Sequence, residues 1–301
     1  MARQWIESGL VGHLTGSELQ SMLIEEMARR AAGRSPHEVL AQYRRDRFVS
    51  PGLVDLRTSL AIDAHMLEAA RDFEAIELSP VTPLGTCTSV AVTTQNRVLS
   101  ALRATEVVSD PTNVMALEIA ARWKTVVRDQ HLATSMRVVR AQPVPKLPGY
   151  SQHFRLFAMA SGGLEQQDHA FTVATLVRHI KTLLDGLRTL EHHGYAFGAR
   201  RVTLLATPER ARLAERVGAA LRVPVQHERL EQAYYSGGIR YMLWVTAREG
   251  DGTEREVPLG DGGTFDWLST LMSNRRAVLV ASGLGVQMVP IVFRARPLPD
   301  T

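Results

Sequence analysis

Residues 136–157 read MRVVRAQPVPKLPGYSQHFRLF, and the assignment of the fold turns on this stretch. Val138 and Val139, with the alternation around them, predict one strand, and His153, Phe154, Leu156 and Phe157 predict the next. The segment between them, rich in proline, predicts a loop. A β-hairpin with Arg140 near the end of one arm and Phe157 on the other has the chemistry to hold a nucleotide: a guanidinium takes phosphate oxygens bidentately and a ring stacks on a base. The same pair also fits a surface charge and a core ring, so the rest of the chain has to decide.

The chain of 301 residues, with 45% hydrophobic and 22% charged residues, can bury a large core and has the balance of a globular protein. No apolar run reaches the length of a membrane span, and the start, MARQWIESGL, lacks a basic, then apolar, then cleavable pattern, so cytoplasmic residence is expected. Cys87 is the only cysteine, which excludes an intramolecular disulfide and a thiolate-rich zinc site. The net charge of +4 comes from arginines spread along the chain, so a nucleic-acid partner is not indicated.

Outward from the hairpin, helical and strand patterns alternate. Thr15 with Glu18, and Ser35 with Pro36 and Glu38, predict two capped helices at the start, the first ended by Gly33. A third covers residues 56–71. FEAIELSP and TEVVS predict short strands, followed by a helix over 111–123. After the hairpin comes a long helix over 168–193. Then ARRVTLLATPERARLAERVGAALRVPV gives strand, helix with Thr207 as N-cap, and strand. The remainder reads as strand-rich: GGIRYMLWVTA, a polar turn at 249–253, the stretch DGGTFDWL with a short helix to about Asn274, AVLVAS, and a final apolar run.

In this order the pieces resemble the catalytic core of a class II aminoacyl-tRNA synthetase, most closely the histidyl branch, over residues 56–290. Residues 56–80 resemble the first class II motif, a helix feeding a strand that ends in Pro80. VVSDPTNVMALEIAAR resembles the acidic and threonine stretch beside an amino-acid pocket, with Asp110 and Thr112 at the matching positions. VRAQ with HFRLF resembles the second motif, which implies a nucleotide side made by Arg140, Gln142, His153 and Phe157. LEQAYYSGG resembles the double-tyrosine segment of the histidine site and implies Tyr234, Tyr235, Gly237 and Gly238 on the ligand side. VASGLGVQM resembles the glycine strand of the third motif, through Gly283 and Gly285.

The departures matter as much. Gln142 stands where the second motif has a glutamate, Met288 where the third has its arginine, and Arg229 lies one residue from the arginine expected before the tyrosines. A thioether cannot neutralise a triphosphate. Aminoacyl-adenylate formation needs that charge stabilisation, so the set of replacements implies binding more than catalysis.

Each site residue also has a simpler account. Asp110 fits a helix N-cap, the tyrosines a core ring beside a turn, and Gly283 and Gly285 a close backbone approach. His192 and His193 are adjacent and point to different faces of their helix, so no metal is expected.

The expected fold is α+β: an antiparallel sheet of about six strands flanked by helices, with an N-terminal helical extension over residues 1–50. Residues 51–301 form the core, with a small α/β insertion near 195–230 and no anticodon-binding domain. The resemblance implies a homodimer and an amino-acid-like ligand with or without an adenine nucleotide; the amphipathic N-terminal helices, which the resemblance does not cover, are expected to pack on the rest of the chain or on a protein partner. The leading function is a non-catalytic sensor or regulatory subunit, like the synthetase-like partner of short ATP phosphoribosyltransferases. The alternative is an ATP-dependent ligase, using ATP with Mg and Arg140 to activate an amino acid or other carboxylate for a small acceptor or carrier protein. A vestigial pocket on a dimeric scaffold is the third reading.

Overall fold

The computed structural model describes residues 13–123, 129–248 and 252–294. Its first two helices begin where their capping residues stand. The Thr15 hydroxyl accepts from the Glu18 N–H at 3.2 Å while the Glu18 carboxylate accepts from the Thr15 N–H at 2.8 Å, opening α1 (Gly16–Ala32). Ser35 and Glu38 repeat the exchange at the start of α2 (Pro36–Arg45). Neither helix has a buried residue. Met22, Leu23, Met27, Val39, Leu40 and Tyr43 stay exposed on them.

The chain then enters the core through α3 (Leu56–Ala69), capped by Asp55, and the short strand β1 (Glu74–Ala75). A three-stranded sheet of β2 (Val81–Pro83), β3 (Ser100–Ala101) and β4 (Thr105–Val107) leads to α4 (Pro111–Arg122). The hairpin of residues 136–157 is present, longer than its sequence signal: β5 is Gln130–Val139 and β6 is His153–Leu164, paired antiparallel throughout. Next come α5 (Ala170–His192) and a β–α–β unit of β7 (Arg200–Ala206), α6 (Ala211–Ala219) and β8 (Val225–Arg229). Then β9 (Ile239–Arg248) and β10 (Glu254–Phe265), α7 (Trp267–Leu271), β11 (Ala277–Leu284) and α8 (Met288–Val292) complete the fold.

The large sheet runs β1-β5-β6-β11-β10-β9-β7-β8. It has eight strands, where the sequence reading has about six. The antiparallel run from β5 to β7 accounts for six of them; the other two, β1 and β8, are edge strands paired parallel to their neighbours. Both fall in or next to runs read as strand, FEAIELSP and the exit that ends at Val225; what that reading leaves out is that they join the large sheet at its edges. The final apolar run is also corrected: it is helix α8, because the chain turns at Gly285, whose carbonyl accepts from the Met288 N–H at 2.9 Å. The turn expected at 249–253 lies largely outside the described residues.

The sheet is covered differently on its two faces. Helices α3, α5 and α6 pack on one face over Phe157, Met159, Val202, Tyr241, Leu243 and Val280. Here α3 and α5 approach so closely that a Cβ on Gly186 would lie 2.6 Å from the Met66 sulfur, and the Met66 side chain would have to shift to admit it. Helices α4 and α7 cover part of the other face, over Ala158, Ala160, Leu279 and Ala281. That second face is left open beyond α4, and there the cavity lies. Among the described residues no helix is long and apolar enough to cross a membrane.

Candidate functional site

The cavity, of about 370 Å³, sits over β6, β9, β10 and β11 beneath the loop that joins β5 to β6. Its wall holds four charged side chains, two of each sign: Asp110, Asp261, Arg140 and Arg240. The rest is largely apolar or aromatic, including Phe154, Leu156, Met242, Leu259 and Phe265.

Asp110 enters the wall because it caps α4. Its Oδ1 accepts the Thr112 N–H at 3.0 Å and the Thr112 hydroxyl at 2.8 Å. Its Oδ2 accepts the Tyr234 hydroxyl at 3.3 Å and lies 3.9 Å from the Arg140 guanidinium. The cap and the pocket are therefore the same residue, and both readings of Asp110 are compatible. Arg140 follows β5 directly. Its Nε donates to the Ser109 carbonyl at 3.0 Å and its guanidinium lies over the Phe154 ring at 5.0 Å. It is neither free nor consumed by a tight carboxylate pair; it is held flat against the wall.

A second cluster faces this one. The Tyr235 hydroxyl donates to Asp261 Oδ2 at 2.8 Å, Arg240 Nη2 donates to the same oxygen at 2.9 Å, and the guanidinium lies 5.0 Å from the Tyr235 ring centre. The two tyrosine rings meet edge to face at 5.2 Å, which joins the clusters. Burial pushes both tyrosine hydroxyls upward in pKa, Tyr234 further raised by Asp110 and Tyr235 by Asp261. Both remain donors, and a donor held against each carboxylate keeps that carboxylate oriented.

The loop over the cavity is fixed from below. Gln287 Nε2 donates to the Gly149 carbonyl at 3.2 Å and to the Ser151 hydroxyl at 3.1 Å. Gly149 has φ +86°, and a Cβ there would come within 2.4 Å of the Met288 sulfur. Met288 thus fills the space under the loop. Lys146 on the same loop is exposed and does not line the cavity.

Of the residues expected from the sequence, Asp110, Thr112, Arg140, Gln142, Tyr234, Tyr235, Gly283 and Gly285 line the cavity together. His153, Phe157, Gly237 and Gly238 do not. Phe157 is fully buried among Ile62, Met66 and the α5 side chains on the opposite face. His153 also lies away from the wall, with its ring against Arg137 Nη1 at 3.0 Å and the Ser50 carbonyl at 2.8 Å. Both are odd-numbered on a strand whose even-numbered residues face the cavity. Gly237 is pressed against Thr264, and Gly238 turns the chain into β9. Arg229 ends β8, exposed, outside the cavity wall.

Phe154, Arg240 and Asp261 were not expected. Strand parity places Phe154 with Leu156 and Arg240 with Met242, whereas Asp261 reaches the cavity only through the register of β9 with β10, which shifts between Pro258 and Gly260. Among the described residues no group of three or more His, Cys, Asp or Glu side chains is placed to hold a metal ion.

No protein-family model matches the sequence, and no curated protein matches it. Solved structures do. An ATP phosphoribosyltransferase regulatory subunit/histidyl-tRNA synthetase from Bacillus halodurans aligns with TM-score 0.56 at 14% identity, over 79% of this chain and 81% of that one. Histidyl-tRNA synthetase of S. aureus aligns with TM-score 0.57 at 11% identity, over 80% and 67%. A histidine–tRNA ligase subunit from Alicyclobacillus acidocaldarius aligns with TM-score 0.56 at 12% identity, over 80% and 95%. These likenesses establish the fold as class II synthetase-like, in agreement with the resemblance of the motifs.

Proposed function

We infer that this class II synthetase-like chain binds a small amino-acid-like ligand in the cavity and serves as a sensor or regulatory subunit. One observation carries the reading: two carboxylates and two guanidiniums, each carboxylate oriented by a tyrosine hydroxyl, line a single cavity. Charges arranged in opposite pairs suit a zwitterion. The α-carboxylate is assigned to Arg140, whose outer guanidinium nitrogens make, among the described residues, no closer ion pair than 3.9 Å to Asp110. The α-ammonium is assigned to the Asp110, Thr112 and Tyr234 side. A polyphosphate would need surplus cations, and the position of the third-motif arginine is filled by Met288 under the loop. The regulatory role has further support in the neighbour described as an ATP phosphoribosyltransferase regulatory subunit.

The ligase reading rests on Arg140 and Phe154, a guanidinium over a ring on the second-motif hairpin, which could accept an adenine nucleotide. Isothermal calorimetry with the twenty amino acids and with Mg-ATP separates the two. Amino-acid binding without nucleotide binding supports the sensor. Pyrophosphate release that depends on one amino acid would replace it with the ligase.

The protein is further proposed to act as a homodimer, with the exposed apolar faces of α1 and α2 covered by a second copy. Each helix carries its acidic residue in the first turn, Glu18 or Glu38, and arginines in the last, Arg29 and Arg30 or Arg44 and Arg45. An antiparallel two-fold arrangement sets acid against base at both ends. Sedimentation tests it: a dimer that dissociates in Leu23→Asp with Leu40→Asp supports this face, and a wild-type monomer removes it.

A further inference from the structure

The charge inventory of the cavity leaves a second pair, Asp261 with Arg240, unused by an ordinary amino acid. If Arg140 takes the α-carboxylate and Asp110 the α-ammonium, Asp261 remains. It is not a wall residue locked away from the ligand: its side chain is 43% exposed while that of Arg240, behind it, is 14% exposed. Both of its hydrogen bonds, from the Tyr235 hydroxyl and from Arg240 Nη2, go to Oδ2. Among the described residues nothing donates to Oδ1. Arg240 is in turn spent in the wall, with Nη1 on Gln232 Oε1 at 2.8 Å and its plane over the Tyr235 ring. The carboxylate is therefore fixed through one oxygen and offers the other.

We propose that the ligand carries a second cationic group at the end of an aliphatic stem, and that Asp261 is the residue that selects it. The inference rests on the amino-acid reading of the cavity and names the class within it: a basic amino acid such as lysine, ornithine or arginine. Leu156, Met242 and Phe265 in the wall offer apolar surface for a methylene stem. A carboxylate with an open oxygen gives an ammonium or guanidinium a charge-assisted hydrogen bond that a neutral isostere lacks.

The test compares charged and neutral ligands of one shape by isothermal calorimetry: L-lysine against L-norleucine, and L-arginine against L-citrulline. At least one cationic member should bind about tenfold or more tightly than its neutral counterpart, a ratio that falls to near one in Asp261→Asn. Asp261→Glu, which keeps the charge, should retain part of the preference. Equal binding of charged and neutral partners overturns the inference while leaving the amino-acid site in place. A preference that survives in a folded Asp261→Asn protein overturns the assignment to Asp261. If none of the twenty amino acids binds, the reading of the cavity itself falls and the inference falls with it. Should Asp261→Asn fail to fold, the wild-type ligand pairs and Asp261→Glu still decide.

Discussion

The two faces of the large sheet are made of the same strands, yet one conceals its polar groups and the other displays them. On the helix-covered face His179 is fully buried, its Nε2 at 2.8 Å from the Ser161 hydroxyl and its Nδ1 at 2.7 Å from the Ser282 hydroxyl; His131 Nδ1 meets Ser161 at 2.8 Å. Burial pushes the pKa of His179 down to about 3 and that of His131 to about 4. These rings are neutral polar fillers among apolar side chains. On the cavity face Asp110, Asp261, Arg140 and Arg240 line an open cavity, and each has a neighbour of opposite sign. Burial depth, rather than residue type, separates the structural from the functional groups. A titratable residue in this sequence is informative only once its face is known.

The largest effect expected of that contrast is on stability. Phe157→Ala, on the covered face, should cost about 3–5 kcal/mol in denaturant unfolding, because the ring is fully buried against α3 and α5. Phe157→Leu should leave ligand affinity unchanged, whereas a ring stacked on a ligand would lose affinity when replaced. Phe154→Ala reverses the pattern, with weaker binding and a smaller loss of stability.

Acid should act through the covered face. The unfolded chain takes up protons on His131 and His179 as pH falls through about 6.5, while the folded protein does not until about 4 and 3. Stability therefore falls with decreasing pH across that window, by up to about 1.4 kcal/mol per pH unit for fully buried His179 and by less for His131, which solvent partly screens. His179→Gln, measured by urea unfolding at pH 7 and pH 5, should flatten the dependence. A slope equal to that of the wild type would remove the buried histidine as its source.

On the open face, Tyr234→Phe removes one donor to Asp110 and should weaken ligand binding by about tenfold, as expected for a hydrogen bond to a charged group, while leaving the unfolding midpoint nearly unchanged. The smallest effect belongs to the solvent. Arg188→Ala breaks an exposed pair with Asp185 and should change stability by less than about 1 kcal/mol. A larger change would mean that α5 depends on its outer surface as well as on its buried one.

Much of this was legible in the sequence, for local reasons. The capping boxes at Thr15 and Ser35 and the N-cap at Asp110 are written in adjacent residues and form as read. The order of helices and strands carried the class II-like fold, and Asp110, Arg140, Tyr234 and Tyr235 converge on one cavity. What the sequence did not reveal is long-range. The motif spacing pointed to Phe157, but only the pairing of β6 with β5 and β11 decides which parity faces α5, and it turns Phe157 inward. Arg240 and Asp261 are twenty-one residues apart and become a pair only through the register of β9 with β10. Edge strand β1 lies within the predicted run FEAIELSP, but its place beside β5 in the large sheet is set by that pairing alone.

The central claim is that the open face, and not the hairpin alone, forms an amino-acid site. Its most direct test is calorimetric titration of the wild-type protein and of Arg140→Ala with each of the twenty amino acids. At least one should bind the wild type with one-to-one stoichiometry and bind Arg140→Ala about tenfold or more weakly, with the variant still folded. Binding of equal strength to both proteins, or no binding to the wild type, would contradict the account.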